Sequence, residues 1–327
     1  VVTMPYKPGS FKRWLISLLA AAAFAVPAHA DTFPSKTIRI IVPYAPGGSI
    51  DLTARLIAKN LQQRLGQAVI VENKPGANGV VGIDDLMQSD PDGHTLIILS
   101  NSPVTVNPHL SKVNYDPLTD LAPIGRVVDS PIILAANPKA GIASIADLVA
   151  AAKAKPLNYA VSAIGSFAYL SAELLKHDLG IAMQAVPYRG GAPVATAIAS
   201  GEVPLGMLDT AAIMPMIANG QVVPIGITEP ERAHSMPNIP TLREAGVPNF
   251  STTSWLAMFA PRGTPDDRIA RLNAEITKIV AIPETKEVLL AAGLEPAPGG
   301  PDEMRRIIAA EYATWGRLIT ATGLKAE

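Results

Sequence analysis

The sequence predicts an α/β protein in which short buried strands alternate with amphipathic helices. Apolar, β-branched runs such as Ile38–Val42 have the composition of buried strands. A small polar or glycine-bearing turn follows several of these runs, and apolar residues then recur at steps of three and four, which is the period of a helix. With 327 residues, 48% of them hydrophobic, the chain is globular and long enough for two domains.

Composition excludes several classes of function. A formal net charge of −1 provides no basic field, so we expect no nucleic-acid partner. The chain has no cysteine, and its 5 histidines are scattered singly, so neither a disulfide framework nor the spacing of metal ligands is present. We therefore expect no metal and no cofactor.

Residues 1–30 have the pattern of a secretory signal peptide. A basic stretch ending at Arg13 precedes the apolar stretch Trp14–Val26, and Ala28-His29-Ala30 matches an A-x-A cleavage site. The apolar stretch is too short to span a bilayer. We expect cleavage after Ala30 and release of a protein that begins at Asp31 and has no membrane anchor.

The first strand and helix are joined by a candidate anion site. Strand Ile38–Val42 ends at Pro43, and the loop Pro46–Ser49 contains two glycines, which let the backbone approach a ligand closely. Ser49 is placed as the N-cap of a helix. The N–H groups of a first helical turn attract a carboxylate or phosphate. The helix is indicated by one apolar face, formed by Ile50, Ala54, Ile57, Leu61 and Leu65.

That loop does not match a nucleotide-binding motif, because it has neither G-x-G-x-x-G nor G-x-x-x-x-G-K-[ST]. Further along, Ala68–Glu72 is predicted as a strand and Ile83–Met87 as part of a helix. Strand Thr95–Leu99 ends in the polar run Ser100–Ser102. Open α/β sheets bind ligands just past the carboxyl ends of their strands. The run is either part of a binding site or a helix cap.

A second construction of the same kind follows the apolar, extended segment Val127–Ala136. Ser144 and Asp147 form a capping box for one helix. Strand Tyr159–Ser162 then leads through the tight turn Ile164–Ser166 into another helix, with Ser166 as its N-cap. If this loop faced the Pro46–Ser49 loop across a cleft, the two would hold a small anionic solute from both sides.

The remaining segments look structural, apart from one more polar strand end. Strand Leu205–Leu208 is followed by Asp209 and Thr210 as a cap, and by a helix that Gly220 ends at its C′ position. Thr264 is predicted as the N-cap of the next long helix, followed by a proline at N1, and a shorter helix ends at Gly293. The last helix buries one apolar face, predicted from Met304, Ile308, Tyr312, Trp315 and Leu318 or Ile319.

Taken in order, these motifs resemble the Bug-type solute-binding proteins, the extracytoplasmic receptors of the tripartite tricarboxylate transporter family. The similarity covers essentially all of the sequence after the signal peptide. Its specific pieces are Pro43–Asp51 (PYAPGGSID), Leu65–Gln67, Val71–Ala77 (VENKPGA), Pro91–Gly93, Val186–Pro193 (VPYRGGAP), Pro240–Gly246, Trp255 and Ala260–Pro265.

The resemblance implies a type II periplasmic-binding-protein fold, with two α/β domains joined by two hinge strands and a ligand cleft between them. The hinge strands would fall near Val128–Asn137 and Ser254–Ala260. The first domain would comprise residues 31–130 and 255–327, and the second would comprise residues 131–254.

The resemblance also implies where the solute binds. In the family, a Pro-Gly-Gly loop and a facing loop of small residues hold a carboxylate, which maps onto the two loops described above. One departure is Tyr169, where many relatives have histidine. The residues expected to bind ligand are Tyr44, Gly47, Gly48, Ser49, Asp51, Ser100, Asn101, Ser102, Ser162, Gly165, Ser166, Tyr169, Asp209 and Thr210.

The implied function is binding without chemistry. A monomeric periplasmic receptor would capture a di- or tricarboxylate, an acidic amino acid or an aromatic acid. Tyr44, Phe167 and Tyr169 near the expected cleft could hold an aromatic carboxylate. It would close over the solute and deliver it to the membrane permease subunits of a tripartite transporter. Asp51 has two interpretations, as a partner of the helix dipole or as the partner of a solute amino group.

Two other functions stay open at this point. The closed protein could signal to a membrane receptor kinase instead of, or as well as, a permease. An extracytoplasmic hydrolase could use Ser49, Ser100 or Ser166 as its nucleophile. A hydrolase needs a histidine base, and no G-x-S-x-G elbow is present to place one.

Overall fold

The computed structural model describes residues 1–5, 33–248 and 250–322. The chain divides into two compact units, Val1–Ser35 and Lys36–Glu327, and the strands and helices given below lie in the second. From residue 6 onward the predicted signal peptide lies outside the described residues, so cleavage after Ala30 stays a prediction. None of the described helices is both long and apolar enough to cross a membrane.

The strands and helices alternate along the chain, as the sequence predicts. The strands are β1 (Ile38–Val42), β2 (Val69–Asn73), β3 (Thr95–Ser100), β4 (Leu121–Asp129), β5 (Ile132–Ala136), β6 (Leu157–Val161), β7 (Met183–Pro187), β8 (Leu205–Asp209), β9 (Val223–Ile227), β10 (Trp255–Pro261) and β11 (Glu295–Pro296). The α-helices are α1 (Ser49–Leu65), α2 (Val80–Met87), α3 (Asn107–Leu110), α4 (Ile145–Ala154), α5 (Phe167–Leu179), α6 (Gly191–Ser200), α7 (Met214–Ala218), α8 (Asp266–Val280), α9 (Pro283–Ala291) and α10 (Pro301–Thr322). Short 3₁₀ turns lie at Ala77–Gly79 and Pro138–Ala140, and a π-helical turn lies at Ser102–Val106.

The strands form two mixed sheets. The first has 6 strands in the order β11-β4-β10-β3-β1-β2, and the second has 5 in the order β7-β6-β8-β5-β9. In the first sheet β1 runs parallel to β2 and β3, and in the second β6 runs parallel to β7 and β8. Because the carboxyl ends of parallel strands share one edge, the loops after β1 and β3 lie together, as do those after β6 and β8.

The chain passes between the sheets at two places. It leaves the first sheet at the end of β4 and enters the second with β5, so Ser130 and Pro131 divide the segment predicted as one extended run. It returns between β9 and β10. The two passages touch, since the Ser130 N–H donates to the Ser254 carbonyl at 2.8 Å. The domain boundaries inferred from the resemblance stay predictions.

The C-terminal helix α10 contributes residues to the hydrophobic cores of both sheets. Met304 and Ile308 are buried in the core that contains Ile41 and Ile97 of the first sheet, while Ile319 belongs to a core of the second. This confirms the predicted apolar face. The Trp255 indole N–H donates to Glu311 Oε1 at 2.9 Å and so fastens α10 to β10.

Helix caps match the prediction where a side chain makes the capping bond. Ser144 accepts from the Asp147 N–H, and Ser166 accepts from the Tyr169 N–H. The predicted cap Ser49 is wrong by one residue, because the N-cap of α1 is Gly48. Thr264 is also not a cap, because its hydroxyl donates to the Pro261 carbonyl at 2.8 Å and α8 begins after Pro265.

Candidate functional site

A cavity of about 590 Å³, including its opening to solvent, lies where the loops at the carboxyl edges of the two sheets meet. Most of the residues predicted from the sequence line it. They are Tyr44, Gly48, Ser49, Asp51, Ser100, Ser102, Ser162, Ser166 and Asp209. The predicted residues Gly47, Asn101, Gly165, Tyr169 and Thr210 are not among its lining residues.

The N-terminus of α1 is engaged by a carboxylate of the protein itself. The Ser49 N–H donates to Asp209 Oδ1 at 3.2 Å, which joins the loop after β1 to the end of β8. Gly191 lets this carboxylate come close, because a Cβ at that position would lie only 2.9 Å from Asp209 Oδ2. The anion that the sequence predicts at this helix end is therefore, in part, Asp209.

The environment of Asp209 disfavours its charged form. Burial raises the pKa of this carboxyl group, and hydrogen bonds from Ser49 oppose the rise. None of the ion pairs among the described residues involves Asp209. Asp209 is therefore a cavity carboxylate held by N–H and hydroxyl donors and not by a cation.

Asp51 is held in a different way, by a cation and two further donors. Its oxygens accept from Arg55 Nε at 3.1 and 3.0 Å and from Asn73 Nδ2 at 3.0 Å, and Oδ2 accepts from the Gly47 N–H at 3.1 Å. Burial alone would raise the pKa of Asp51, but these hydrogen bonds together lower it. The acceptor sites of this carboxylate are largely filled, which favours its structural interpretation over pairing with a solute.

The glycines of the first loop face a different partner from the one that the sequence suggests. Gly47 has φ +96°, and a Cβ there would lie 3.4 Å from the Ala192 Cβ. A Cβ on Gly48 would lie 4.0 Å from the Gly191 nitrogen. The loop after β1 therefore meets the N-terminus of α6, a stretch that the resemblance includes but that was not predicted to be part of the site.

The second predicted loop forms the opposite wall. Ser166 caps α5 through its bond from the Tyr169 N–H at 3.1 Å. The following residues, Phe167 and Ala168, line the cavity, and as the first two residues of the helix they have N–H groups without an intrahelical acceptor. Gly165 contributes its carbonyl, which accepts from Ser102 Oγ at 2.6 Å and from Asn78 Nδ2 at 2.9 Å.

Three predicted site residues have structural roles instead. Asn101 is fully buried and donates to the Thr253 carbonyl at 3.1 Å. The Thr210 hydroxyl donates to the Gly293 carbonyl at 2.7 Å, so it does not cap α7, whose N-cap is Ile213. Tyr169 is buried in the core of the second sheet, so its difference from histidine does not alter the wall of the cavity.

Tyr44 and Ser100 close one side of the cavity. The Tyr44 hydroxyl donates to Asn78 Oδ1 at 2.9 Å. Burial raises the pKa of Tyr44, a hydrogen bond with Ser100 opposes this, and the charge of Asp209 adds to the rise. The phenol is thus neutral at ordinary pH, and its single O–H is used in the bond to Asn78.

Sequence reasoning missed the residues that the passages between the sheets bring to the cavity. Ser130 and Ser254 line it, together with the apolar Ile132 and Leu256. Ser130 is 1% exposed, and its hydroxyl has no hydrogen-bond partner among the described residues. The break that Ser130 and Pro131 make in an apolar run is the signal that could have identified this passage.

The cavity has hydroxyl groups and carboxylates but no cationic side chain. Among the described residues, no lysine, arginine or histidine lines it, and no cluster of His, Cys, Asp and Glu could hold a metal ion. A neighbouring groove shares Tyr44 and Ser162 with the cavity and includes the exposed Arg189. Among the described residues that line the cavity there is no histidine, the imidazole base that a serine nucleophile would need.

Comparison with known proteins gives a consistent result. Residues 53–324 match the family model described as "Tripartite tricarboxylate transporter family receptor". Protein BugT of Bordetella pertussis (strain Tohama I) is 37% identical over 311 residues, which cover 94% of this chain and 95% of BugT.

Two solved structures have the same fold over most of their length. R. palustris Rpa4515 with adipate superposes with a TM-score of 0.86 at 33% identity and covers 90% of this chain and 99% of its own. Periplasmic binding protein BugD superposes with a TM-score of 0.85 at 28% identity and covers 90% of this chain and 100% of its own.

Proposed function

The chain belongs to the tripartite tricarboxylate transporter receptor family, and from this premise we propose that it captures a small carboxylate in the periplasm and delivers it to membrane permease subunits. Its two α/β layers and its match to BugD confirm the predicted type II periplasmic-binding-protein fold. The proposed activity is binding without a chemical step.

The observation that carries the proposal is the open N-terminus of α5. Ser166 accepts from the Tyr169 N–H, and Phe167 and Ala168, the first two residues of this 13-residue helix, line the cavity and have N–H groups without an intrahelical acceptor. A carboxylate placed there would gain two backbone hydrogen bonds and the attraction of the helix dipole, about 0.3–2 kcal/mol for the dipole alone. No arginine is required for such a site.

The unpartnered hydroxyl of Ser130 supports a polar occupant. A buried hydroxyl without a hydrogen bond destabilises the folded protein by about 1–3 kcal/mol. A solute oxygen in the cavity would satisfy it. The serines at positions 100, 162 and 166 add further hydroxyl groups around the same space.

The relatives support a carboxylate rather than a neutral solute. The family description names tricarboxylates, and Rpa4515 was solved with adipate, a dicarboxylate. We extend the class, carboxylates, to this chain.

Delivery requires that the permease distinguish loaded from empty receptor. The bonds from Ser49 to Asp209 and from Ser102 to Gly165 join loops of the first sheet to loops of the second, so they form only when the cleft is closed. A solute between the same loops would favour that closed form. Signalling to a receptor kinase would use the same form, and uptake into vesicles that contain the permease separates the two roles.

A thermal-shift screen of the secreted protein tests the proposal. The panel comprises mono-, di- and tricarboxylates, amino acids, sugars and inorganic phosphate. At a hundred times its dissociation constant, a carboxylate should stabilise the protein by about 2.7 kcal/mol. Stabilisation by sugars or phosphate alone would show that the carboxylate assignment is wrong.

Two serine variants sharpen the test. Ser130→Ala removes a hydroxyl that has no hydrogen-bond partner within the described part of the chain, so the ligand-free melting temperature should not fall, while carboxylate binding weakens roughly tenfold. Ser171→Ala is the control. Its hydroxyl is buried away from the cavity and bonds Thr252 Oγ1 at 2.9 Å, so this variant should melt earlier and bind normally.

A further inference from the structure

We propose that Asp209 makes the receptor selective for solutes that carry a protonated amino group in addition to a carboxylate. The proposal rests on the carboxylate-receptor function and narrows its substrate class to amino acids. It follows from the charges on the cavity wall, from the bonds that Asp209 makes, and from the position of the open helix end.

The charges on the wall do not suit a simple dianion. The cavity is lined by two carboxylates, Asp51 and Asp209, and by no lysine, arginine or histidine among the described residues. Asp51 is paired with Arg55 at 2.9 Å, which leaves Asp209 as the lining carboxylate without a cationic partner. Arg189 lies in the neighbouring groove and is exposed, where water and salt screen its charge.

The bonds that Asp209 makes leave acceptor capacity for a ligand. A carboxylate has about four lone-pair sites, and among the described residues Asp209 accepts from the Ser49 N–H and hydroxyl and from its own backbone N–H. An ammonium group has three N–H donors and a full charge. Inside a cavity that is partly shielded from water, such a pair is attracted more strongly than at the surface. A second carboxylate placed beside Asp209 would be repelled for the same reason.

The open N-terminus of α5 supplies the complementary half of the site. It offers N–H groups and the Ser166 hydroxyl for a carboxylate, while Asp209 offers an acceptor for an amine. An amino acid carries both complementary groups, and both halves of the site line the same cavity. Asp51, the candidate amine partner in the sequence analysis, is replaced in this role by Asp209, because the oxygens of Asp51 are already bonded to Arg55, Asn73 and Gly47.

A neutral Asp209 is the rival explanation. Burial raises the pKa of this group, and a protonated Asp209 could donate to a solute carboxylate instead of accepting from an amine. The two explanations predict opposite preferences. If Asp209 is ionised, the aminated member of a matched pair of acids binds more tightly. If Asp209 is protonated, the two members bind equally or the acid without the amine binds more tightly, and the affinity falls as the pH rises.

The experiment is calorimetric titration of the secreted protein with matched acids. The pairs are L-glutamate and glutarate, L-aspartate and succinate, and 5-aminopentanoate and pentanoate. Each is titrated into the wild type, Asp209→Asn and Asp209→Ser, at pH 6 and pH 8. Circular dichroism and the melting temperature establish that each variant is folded, and the serine variant serves if the asparagine variant is not.

We expect at least one aminated acid to bind the wild type tenfold or more tightly than its partner. In Asp209→Asn that acid should lose roughly 30-fold in affinity, as when one member of a buried charge pair is removed, while the acid without the amine binds as well or better. Ser171→Ala, whose hydroxyl bonds Thr252 Oγ1 away from the cavity, should leave the preference for the amine unchanged.

Two results would overturn the inference. One is a carboxylate without an amine that binds the wild type as tightly as its aminated partner in every pair, above all if binding weakens between pH 6 and pH 8. The other is a preference for the amine that persists in the folded Asp209 variants. Both leave the receptor function intact, whereas binding of sugars or phosphate and of no carboxylate would contradict the receptor function itself.

Discussion

Helices α1 and α5 begin in the same way in sequence, yet their N-termini are used differently. Each follows a buried strand and a turn of small residues. The first N–H of α1, from Ser49, is bonded to Asp209 at 3.2 Å, a residue 160 positions away. The first two residues of α5 line the cavity, and its own cap, Ser166, accepts from the N–H of the third. One helix end is occupied by the protein and the other is open to a ligand.

The comparison shows that a helix N-terminus predicts the need for an anion but not its source. At α1 the anion comes from the second sheet, so the helix end helps to join the two halves of the cleft. At α5 a neutral hydroxyl caps the helix, which leaves the dipole uncompensated. The chemistry that a solute meets is therefore asymmetric, with an acceptor on one side and donors on the other.

The largest effect is expected from Asp51→Ala, which removes the acceptor shared by Arg55, Asn73 and the Gly47 N–H at the start of α1. Hydrogen bonds to a charged group contribute about 1.5–3 kcal/mol, and we expect a loss of about 2–3 kcal/mol. The melting temperature should fall by roughly 5–10 °C. Arg55 is half-exposed, so Arg55→Ala should lower it less. An unchanged melting temperature combined with lost binding would instead make Asp51 a ligand contact.

The next largest effect is expected from Gly191→Ala, which disturbs the contact at the N-terminus of α1 from the side of Asp209. The new Cβ would lie 2.9 Å from Asp209 Oδ2 and should push that carboxylate off the N-terminus of α1. Overpacking of this kind destabilises by about 1–3 kcal/mol. Small-angle scattering should also show a more open molecule without solute.

Gly300→Ala is the matched control, because a Cβ there meets no atom within 4 Å. If both glycine variants melt and scatter like the wild type, the contact between Asp209 and Ser49 does not hold the cleft closed.

A smaller effect is expected from Ser166→Ala, which removes the cap of α5. Loss of an N-cap serine lowers stability by about 1 kcal/mol, a fall of about 2–4 °C, and carboxylate binding should weaken because the ligand loses a hydroxyl donor. Ser144→Ala removes the same kind of cap from α4, away from the cavity, and should lower stability without altering binding. Equal binding losses in the two variants would refute a specific role for α5.

The smallest effect is a pH dependence of opposite sign for the two carboxylates near α1. Because the pKa of Asp51 is lower in the folded protein than in the unfolded chain, this group contributes stability at any pH above its unfolded-state pKa. The contribution is lost as the pH falls through the folded-state pKa. The raised pKa of Asp209 does the reverse, because the folded state holds its proton longer and stability declines as the pH rises through that range.

Denaturant unfolding from pH 3 to pH 8 measures both contributions. Asp51→Asn should be less stable than the wild type near neutral pH, and this difference in the free energy of unfolding should disappear as the pH is lowered. Asp209→Asn should gain stability relative to the wild type as the pH is raised. Each difference should change by less than about 1.4 kcal/mol per pH unit. The same sign for both variants would contradict the assigned environments.

Much of this arrangement could be predicted from short stretches of sequence. The change from Ile38–Val42 to an apolar face of period 3.6 predicts β1 and α1, and Ser166 predicts the start of α5. The capping box at Ser144 is confirmed for the same reason, namely that each of these interactions joins residues at most four positions apart.

Prediction failed where a side chain had a choice of partners. Thr210 and Thr264 resemble helix caps, but their hydroxyls donate to the Gly293 and Pro261 carbonyls. Ser49 also resembles a helix cap, but the N-cap is Gly48, and the neighbouring Gly47 N–H donates to Asp51 Oδ2. Competing acceptors that differ by about 1 kcal/mol cannot be ranked from the sequence alone.

The sequence by itself determined the α/β alternation, the family and the small polar residues after β1, β3 and β6. Only the tertiary structure decided that Asp209 fills one helix end while α5 stays open, and that Ser130 lines the cavity with a buried hydroxyl that has no partner in the residues the structure describes. The physical reason is range. Periodicity and caps depend on neighbours along the chain, whereas the charge and hydrogen-bonding capacity left over for a solute depend on which distant groups the packed sheets bring together.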